Sequence, residues 1–330
     1  MQPPIKLGII GFGRIGERHW ERFTQQAAGG FELRAVCDMS EPRREHARSL
    51  GAAFVTDSLK DFCEQDLELV VVATHSSAHV EPTEAALKAG FDVVVEKPVT
   101  IRGPEAEQLF ALAKKCGRRM FVHHNRRFDP DYQEVRGLVQ DRGIGEVVFV
   151  ENRVGSGKPA VGFGVKEFNQ AWRITKEMGG GTLLDFGPHY VDQVLNLIDS
   201  PVVGVLADIR SVKWGTADDY FNLNLIFENG ARAVVSKADF VYACHPKWLV
   251  YGTDATVWRD HEKQTHWKNE EETVTAPAYE SGPSLHQNYF DVIRNGAEPL
   301  IAPEAALRVA QVLESGMQSA EQGKLLEVRI

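Results

Sequence analysis

The stretch that decides the fold is residues 5–16, IKLGIIGFGRIG, where an apolar run leads directly into three glycines in the pattern GxGxxG. Residues 17–25 continue with a helix-compatible pattern, so the glycines have the strand, turn and helix context that the motif requires. In that context Gly11 permits the tight turn, Gly13 lets the backbone approach a pyrophosphate, and Gly16 allows close packing of helix on strand. The helix N-terminus supplies N–H donors. The predicted cofactor-binding residues of this turn are Gly11, Phe12, Gly13, Arg14, Ile15 and Gly16.

A second apolar run, residues 33–37, ends in Asp38, about 20 residues beyond the last glycine. An acidic group at that position accepts hydrogen bonds from the adenosine ribose hydroxyls and repels a 2′-phosphate, which favours NAD over NADP. Arg43 and Arg44 follow closely enough to weaken this preference, so NADP stays open as the cofactor. The alternative is that Asp38 is an ordinary turn residue at a strand end, and the upstream motif makes that the weaker interpretation.

Strands and helices alternate through the first third of the chain. Helices are predicted at 41–50, 58–64 and 104–116, and strands at 54–55, 69–73, 92–95 and 120–123. The strands at 69–73 and 92–95 are continuous apolar runs, as expected for strands buried on both faces of a parallel sheet. This alternation predicts a doubly wound α/β domain.

Polar residues follow the strand at 69–73, at the sheet edge where doubly wound folds bind their ligands. Thr74, His75 and His79 lie there, and either histidine could approach a bound cofactor. A capping or loop role fits each histidine equally well, so the sequence leaves both interpretations open.

Glu96 and Lys97 occupy the equivalent edge position after the strand at 92–95, and Pro98 restricts Lys97 to extended geometry. A lysine fixed at this edge can hydrogen-bond a substrate hydroxyl or stabilise a developing alkoxide. For an isolated lysine, a solvated position at a strand end would be the better interpretation.

Residues 179–192 read GGGTLLDFGPHYVD, so three glycines lead into an apolar run that carries Asp185, His189 and Asp192. If the run is helical, spacings of four and three place these groups on one face. That face is solvated, or holds a satisfied buried histidine, or lines a pocket in which His189 acts as an acid or base. Pro188 either kinks this helix or starts a new one. In the kinked case Asp185 and His189 share the pocket, and Asp192 is available to orient the imidazole.

After residue 127 the pattern becomes rich in strands. A helix is expected at 131–141, a strand at 146–153, a mobile glycine-rich loop at 155–164, further strands at 202–212, 219–227, 231–240 and 248–257, and closing helices at 284–295 and 304–322. Asn229-Gly230 is a strong signal for a two-residue hairpin, so the sheet is expected to be locally antiparallel. Several strands are apolar on both faces, which predicts that one face packs on helices and the other on a second subunit of a homo-oligomer.

The chain has 330 residues, a net charge of −9, 43% apolar residues and 25% charged residues, which suggests a soluble protein of two domains. Because its lysines and arginines are scattered, we expect a small-molecule partner and neither nucleic acid nor a membrane surface. Cys37, Cys63, Cys116 and Cys244 are far apart and form no CxxC pair, which argues against a zinc site or a disulfide framework. No apolar run approaches the roughly 20 residues of a membrane span and no signal peptide is recognised, so a cytoplasmic location is expected.

Taken together, the motifs resemble those of the Gfo/Idh/MocA oxidoreductase family: GFGRIG at 11–16, EKP at 96–98, HNRRFDP at 124–130, IGEV at 144–147 and GGGTLLDFGPHYVD at 179–192. The resemblance implies an N-terminal Rossmann domain, residues 1–124, with a doubly wound parallel sheet. It also implies a C-terminal α/β domain, residues 125–330, with a large, mostly antiparallel open sheet for substrate binding and oligomerisation. The branch of inositol and sugar dehydrogenases is the most similar. Many members carry Pro-Asn where this chain has His75-Ser76, which leaves the contacts on the nicotinamide side open.

The resemblance further implies that Lys97 is the catalytic lysine and that Asp185 and His189 are the substrate-binding and acid/base pair. The candidate substrate-binding residues are Lys97, Arg126, Trp172, Arg173, Asp185 and His189. The candidate cofactor-binding residues outside the glycine turn are Asp38, Thr74, His75, His79, Glu96 and Lys97. His286 and Tyr289 on the first closing helix could also reach a pocket, although packing is the more frequent role for such residues.

Together with the resemblance, these residues predict an NAD(P)-dependent dehydrogenase that transfers a hydride between a secondary alcohol of a cyclitol or sugar and nicotinamide. His189 would accept the hydroxyl proton and Lys97 would steady the negative charge, so no metal is expected. Two alternatives stay open: a non-catalytic sugar or dinucleotide sensor on the same scaffold, and a glycosidase that oxidises its sugar transiently and then returns the hydride.

Overall fold

The structure of the protein is a computed structural model, which describes residues 3–27, 30–162, 164–243, 245–280 and 282–330. These residues form two β-sheets. Cys244 lies outside the described residues, as does Phe163 of the loop predicted at 155–164. The other three cysteines are free. No described helix is both long enough and apolar enough to cross a membrane.

The first sheet contains six strands: β1 (Ile5–Ile10), β2 (Phe31–Cys37), β3 (Phe54–Thr56), β4 (Leu69–Val72), β5 (Asp92–Val95) and β6 (Met120–Val122). They are all parallel and lie in the order β3-β2-β1-β4-β5-β6, so the strand order changes direction between β1 and β4. Every residue of β4 and β5 is buried. The doubly wound sheet predicted from the continuous apolar runs is therefore confirmed.

Five helices connect these strands: α1 (Arg14–Gln26), α2 (Glu41–Ser49), α3 (Leu59–Cys63), α4 (Val80–Lys88) and α5 (Gly103–Cys116). The predictions for α2, α3 and α5 are confirmed to within a residue at each end. The pattern does not predict α4, because Pro82 and three charged residues interrupt its apolar periodicity. Pro82 lies in the first helical turn, where a missing N–H is tolerated.

The second sheet contains nine strands: β7 (Val147–Gly155), β8 (Val202–Arg210), β9 (Tyr220–Phe227), β10 (Arg232–Ala238), β11 (Trp248–Gly252), β12 (Thr256–Arg259), β13 (Thr265–Lys268), β14 (Thr273–Thr275) and β15 (Leu326–Glu327). Their order is β14-β13-β12-β11-β7-β10-β9-β8-β15. β7 and β10 are parallel, and the other neighbouring strands are antiparallel. The mostly antiparallel second sheet is thus also confirmed.

The continuous strand expected at 248–257 is wrong. A turn at Thr253 and Asp254 divides this segment into β11 and β12, which pair antiparallel. The Gly252 N–H donates to the Ala255 carbonyl oxygen at 2.9 Å and closes the turn. Asp is a common turn residue, and here its signal outweighs the apolar residues on both sides.

The hairpin signal at Asn229-Gly230 correctly predicts the antiparallel pairing of β9 with β10. The connection is one residue longer than expected, because Phe227 N–H bonds the Ala231 carbonyl oxygen across three intervening residues (3.0 Å). Gly230 adopts a positive φ of 93°, a conformation that favours glycine. The short strands β13, β14 and β15 are not predicted from the sequence.

The remaining α-helices of the described residues are α6 (Pro130–Gly137), α7 (Thr182–Leu195), α8 (Leu285–Asn295) and α9 (Pro303–Gln322). Helix α7 packs in the hydrophobic core of the second sheet. Helix α8 returns to the first sheet, where Leu285 and Val292 join its core. Helix α9 contributes Ala306 to the first core and Val312 to the second. The end of the chain therefore packs against both sheets and holds them together.

Candidate active site

The glycine turn between β1 and α1 is shaped by close backbone contacts. Gly11 adopts a φ of +85°, and a Cβ there would lie 2.8 Å from the Ala73 backbone. A Cβ on Gly16 would lie 2.2 Å from the carbonyl oxygen of Gly11, so glycine is needed for α1 to start this close to β1. By contrast, a Cβ on Gly13 would meet no described atom within 4 Å. The open space at the α1 N-terminus fits the pyrophosphate of a dinucleotide.

Asp38 lies directly after β2 and is held by the glycine turn. Its carboxylate accepts hydrogen bonds from the backbone N–H groups of Phe12 (2.7 Å) and Ser40 (2.8 Å). Arg43 donates to the Phe12 carbonyl oxygen (2.7 Å), and Arg44 donates to the Asp38 carbonyl oxygen (2.7 Å). Because a carboxylate offers about four acceptor positions, Asp38 can still accept hydrogen bonds from a ligand, whereas both arginines already have protein partners.

A cavity of about 660 Å³ lies at the carboxyl ends of the first sheet, bordered by α1, α7 and α8. The predicted site residues that line it are Arg14, Ile15, Thr74, His79, Glu96, Lys97, Arg126, Trp172, Arg173, Asp185 and His189. Among the described residues, the predicted ones that do not line it are Gly11, Phe12, Gly13, Gly16, Asp38 and His75. The fold therefore brings the predicted substrate-binding and acid/base residues together in one cavity, which adjoins the glycine turn through Arg14 and Ile15.

Lys97 and Asp185 form an ion pair in this cavity although 88 residues separate them in the sequence. The Lys97 Nζ donates to a carboxylate oxygen of Asp185 (2.8 Å) and to its carbonyl oxygen (2.7 Å), which leaves one N–H for another acceptor. The Arg173 Nε donates to the other carboxylate oxygen (3.1 Å). Burial alone would raise the pKa of Asp185, but Lys97 and Arg173 hold it below its ordinary value and keep the carboxylate charged.

His189 follows Asp185 by one helical turn and lines the same cavity. Its side chain is buried, and its Nδ1 has no hydrogen-bond partner among the described residues. Burial, together with the positive charges of Lys97 and Arg126, lowers the pKa of His189 well below its ordinary value. The imidazole is therefore neutral near pH 7 and able to accept a proton.

Helix α7 is continuous with Pro188 inside it, so no new helix starts there, and Asp185 and His189 share one face as expected in that case. The expectation that Asp192 orients the His189 imidazole is wrong. Asp192 is buried and forms a two-pronged ion pair with Arg127, whose Nε donates at 3.0 Å. A buried carboxylate is better compensated by a planar guanidinium than by a neutral imidazole, which explains the choice of partner.

The two histidines after β4 have hydrogen-bond partners within the protein, on their own loop and on the segment that follows β5. His79 is buried, and its ring nitrogens lie 2.7 Å from the Pro98 carbonyl oxygen and 3.2 Å from that of Thr74. The His75 Nδ1 lies 2.9 Å from the Ser77 hydroxyl oxygen. Of the two rings, His79 alone borders the cavity, and its approach to a bound cofactor stays a prediction.

Aromatic rings support two of the arginines in the cavity wall. The guanidinium carbon of Arg126 lies 5.3 Å from the ring centroid of Phe186, and that of Arg173 lies 4.4 Å from the centroid of Trp172. Such cation–π contacts hold the planar groups in place. Their N–H groups are suited to bind substrate oxygen atoms, the role expected for these residues.

Several residues of the cavity wall are missed by the sequence analysis: Arg18, His19, Arg22, His123, Asn125 and Phe186. His19 lies 3.0 Å from the carboxylate of Glu96. Burial would raise the pKa of Glu96, but the hydrogen bond from His19 and nearby positive charge lower it to about 2. His123 directly follows β6. The rule that singles out Lys97, a polar residue at a carboxyl strand end, would also have found His123.

Comparison with known proteins gives matches to two family models. A model for an oxidoreductase family with an NAD-binding Rossmann fold matches residues 5–124. A model for the GFO/IDH/MocA C-terminal domain matches residues 132–258. Both halves of the chain are therefore similar to parts of one protein family.

Individual relatives extend this similarity over longer stretches. The oxidoreductase YhhX of Escherichia coli is 30% identical over 250 residues, which cover 75% of this chain and 69% of that protein. The scyllo-inositol 2-dehydrogenase (NADP(+)) IolW of Bacillus subtilis is 25% identical over 353 aligned positions, covering 98% of this chain and 95% of that protein. The solved structure of an NAD-binding protein from Listeria innocua superimposes with a TM-score of 0.85 at 29% identity, covering 99% and 97%.

Gly13 and Gly16 should respond differently to substitution by alanine. In Gly16→Ala the new Cβ collides with the Gly11 carbonyl oxygen, so we expect a loss of roughly 1–3 kcal/mol in the free energy of unfolding. In Gly13→Ala the Cβ enters open space, so stability should stay at the wild-type value while the dissociation constant for NAD rises about 10-fold or more. Urea unfolding and dinucleotide titration by fluorescence measure the two effects. Equal stability of both variants, or unchanged NAD binding by Gly13→Ala, would contradict this interpretation.

Proposed function

The chain belongs to the Gfo/Idh/MocA family of NAD(P)-dependent oxidoreductases, and we propose that it transfers a hydride between a secondary alcohol of a cyclitol or sugar and the nicotinamide. The observation that carries this proposal is the convergence of Lys97, Asp185 and His189 in one cavity beside the glycine turn. The relative IolW, named as a scyllo-inositol 2-dehydrogenase, supports the substrate class.

The residues that would hold the dinucleotide are those of the glycine turn together with Asp38. The space beside Gly13 fits the pyrophosphate, and the α1 N-terminus offers it N–H donors. When bound, the cofactor supplies the acceptor for the hydride that leaves the alcohol carbon. We propose NAD as the preferred form, because Asp38 would repel a 2′-phosphate and because Arg43 and Arg44 are engaged by protein groups.

In the oxidative direction, His189 accepts the hydroxyl proton, since its imidazole is neutral and borders the cavity. Lys97 directs its remaining N–H to the same hydroxyl and stabilises the negative charge that develops on the oxygen. Asp185 holds the Lys97 ammonium in place and can accept a hydrogen bond from a neighbouring substrate hydroxyl. Arg126 and Arg173 donate to further oxygens of the substrate.

We also propose that residues 1–124 form the dinucleotide-binding part and residues 125–330 the part for substrate and oligomerisation. The outer face of the second sheet exposes Leu206 and Tyr251 by 41% and 44%. Exposed apolar residues on a broad sheet favour contact with another subunit. The homo-oligomer stays a prediction, and this face is the surface we propose for it.

A panel of cyclitols and pyranoses, each assayed with NAD and with NADP by absorbance, tests the reaction. We expect at least one polyol to reduce NAD, with a higher kcat/KM than with NADP. A protein that binds a sugar or dinucleotide but reduces neither cofactor would instead be the non-catalytic sensor. Release of the leaving group from an aryl glycoside, with tightly bound NAD and no net cofactor change, would indicate the glycosidase.

Substitution of the proposed catalytic residues should separate chemistry from binding. Lys97→Ala and His189→Ala should each lower kcat by roughly 10²–10⁴-fold, because each removes charge stabilisation or proton transfer at the reacting hydroxyl. The dissociation constant for NAD should change little in either variant. Lys88→Ala and His261→Ala, which alter an exposed lysine and an exposed histidine, serve as matched controls and should keep wild-type rates. Wild-type rates in Lys97→Ala or His189→Ala would rule out the assignment.

The pH dependence of oxidation should report on His189. Because its pKa is lowered, the base stays neutral to well below pH 6.5, so the acidic limb of kcat/KM should lie below that value. Arg126→Gln removes a positive charge that opposes protonation, so the pKa of His189 should rise and the limb should move to higher pH. Initial rates in constant-ionic-strength buffers measure the acidic limb of the wild type and of Arg126→Gln. A limb that stays in place in Arg126→Gln would show that another group titrates.

A further inference from the structure

Three buried histidines from distant parts of the chain meet at one wall of the cavity. We call His19 on α1, His123 after β6 and His286 on α8 the histidine cluster. Their side chains are buried, and their ring centroids are 4.5, 5.1 and 5.2 Å apart. One nitrogen from each ring lies within 4.8 Å of the other two, and the closest pair, His19 Nδ1 and His286 Nε2, is 3.0 Å apart.

The outer nitrogens of two of these rings have fixed partners. The His19 Nε2 lies 3.0 Å from the Glu96 carboxylate, and the His123 Nδ1 lies 2.9 Å from the Tyr289 hydroxyl. A carboxylate accepts a proton from Nε2, so the Nδ1 of His19 is left with its lone pair facing the cluster. Metal-binding histidines almost always have such a hydrogen bond on the nitrogen that does not bind the metal. The arrangement of His19 and Glu96 is therefore that of a metal ligand with its supporting carboxylate.

We propose that the histidine cluster binds one divalent transition-metal ion, with Zn²⁺ as the best-fitting ion. Imidazole nitrogens suit Zn²⁺, Cu²⁺ and Ni²⁺, whereas Mg²⁺ and Ca²⁺ prefer oxygen ligands. At a Zn–N distance of about 2.0–2.1 Å, tetrahedral geometry sets ligand nitrogens about 3.3 Å apart. The His19 and His286 nitrogens, 3.0 Å apart, are already near this separation. The His123 nitrogen lies within 4.8 Å of both and would move inward by at most about 1.5 Å.

The fourth position of such a site faces the cavity, since all three histidines line it. Water or an oxygen atom of a bound small molecule can therefore complete the coordination, as in sites with three protein ligands. Within the cavity wall, the carboxylates Glu96 and Asp185 favour a bound cation, whereas six cationic side chains oppose it: Arg14, Arg18, Arg22, Lys97, Arg126 and Arg173. The effect of each charge on metal affinity depends on its distance from the ion. Glu96 is close, because its carboxylate lies 3.0 Å from the His19 ring.

Direct metal binding tests this proposal independently of turnover. Untagged, full-length protein is stripped with a chelator and titrated with Co²⁺, whose visible absorption reports a four-coordinate site. We expect one Co²⁺ per chain, displaced by Zn²⁺ and confirmed by metal analysis, and a thermal unfolding midpoint that rises with Zn²⁺ concentration. His123→Asn and His286→Asn should each weaken binding by about 100-fold or more, and Glu96→Gln by about 10–100-fold.

His261→Asn, which alters an exposed histidine, is the matched control and should bind Co²⁺ as the wild type does. Unfolding midpoints of the metal-free variants show whether each one folds. Failure of the folded wild type to bind Co²⁺ or Zn²⁺ stoichiometrically would overturn the proposal, and the cluster would then be a hydrogen-bonded part of the core. Binding that is unchanged in folded His123→Asn or His286→Asn would overturn it equally, because the metal would then lie elsewhere.

Discussion

The active-site geometry depends on one shared carboxylate, Asp185, which pairs with both Lys97 and Arg173. Burying ions costs several kcal/mol each, and the cost is offset only where hydrogen bonds are well made. Here the hydrogen bonds between Lys97 and Asp185 connect the carboxyl end of β5 to helix α7, so the edge of the first sheet is fixed relative to the helix that carries His189. Because two cations share one anion, positive charge is left over in the cavity. Burial is the main cause of the lowered pKa of His189, and the charge of Lys97 adds to it, which couples the ion pair to the proposed base.

The first sheet could be predicted because burial on both faces turns its strands into uninterrupted apolar runs, as in β4 and β5. The second sheet has one exposed face, and β9 alternates buried residues with Asn222 and Asn224. Its longer strands are still recognisable by this alternation. The strands β13 and β14 are short and largely polar, so their pattern does not differ from that of a loop. They become strands because a neighbouring strand satisfies their backbone, which is information that the local sequence does not contain.

For the site, the sequence could identify residues but not their partners. Lys97 stands out because it follows an apolar strand at the sheet edge where ligands bind. Asp185 and His189 stand out by their spacing of four in an apolar run, and the family resemblance implies their role. Spacing alone suggests that Asp192 pairs with His189, yet its partner is Arg127, 65 residues away. His19 and His286, which lie 3.0 Å apart, are separated by 267 residues. Partners of this kind are chosen by tertiary packing, and a single sequence gives no signal for them.

The net charge of the chain does not predict the charge of the cavity. The chain is acidic overall, with a net charge of −9. The cavity is not, since its lining includes six cationic side chains, namely Arg14, Arg18, Arg22, Lys97, Arg126 and Arg173, and two carboxylates, Glu96 and Asp185. A positive cleft in an acidic protein attracts small anions such as a dinucleotide, while the rest of the surface repels extended polyanions. Because five of the six cations are arginines, which do not deprotonate in proteins, this attraction persists across the whole pH range in which His189 titrates.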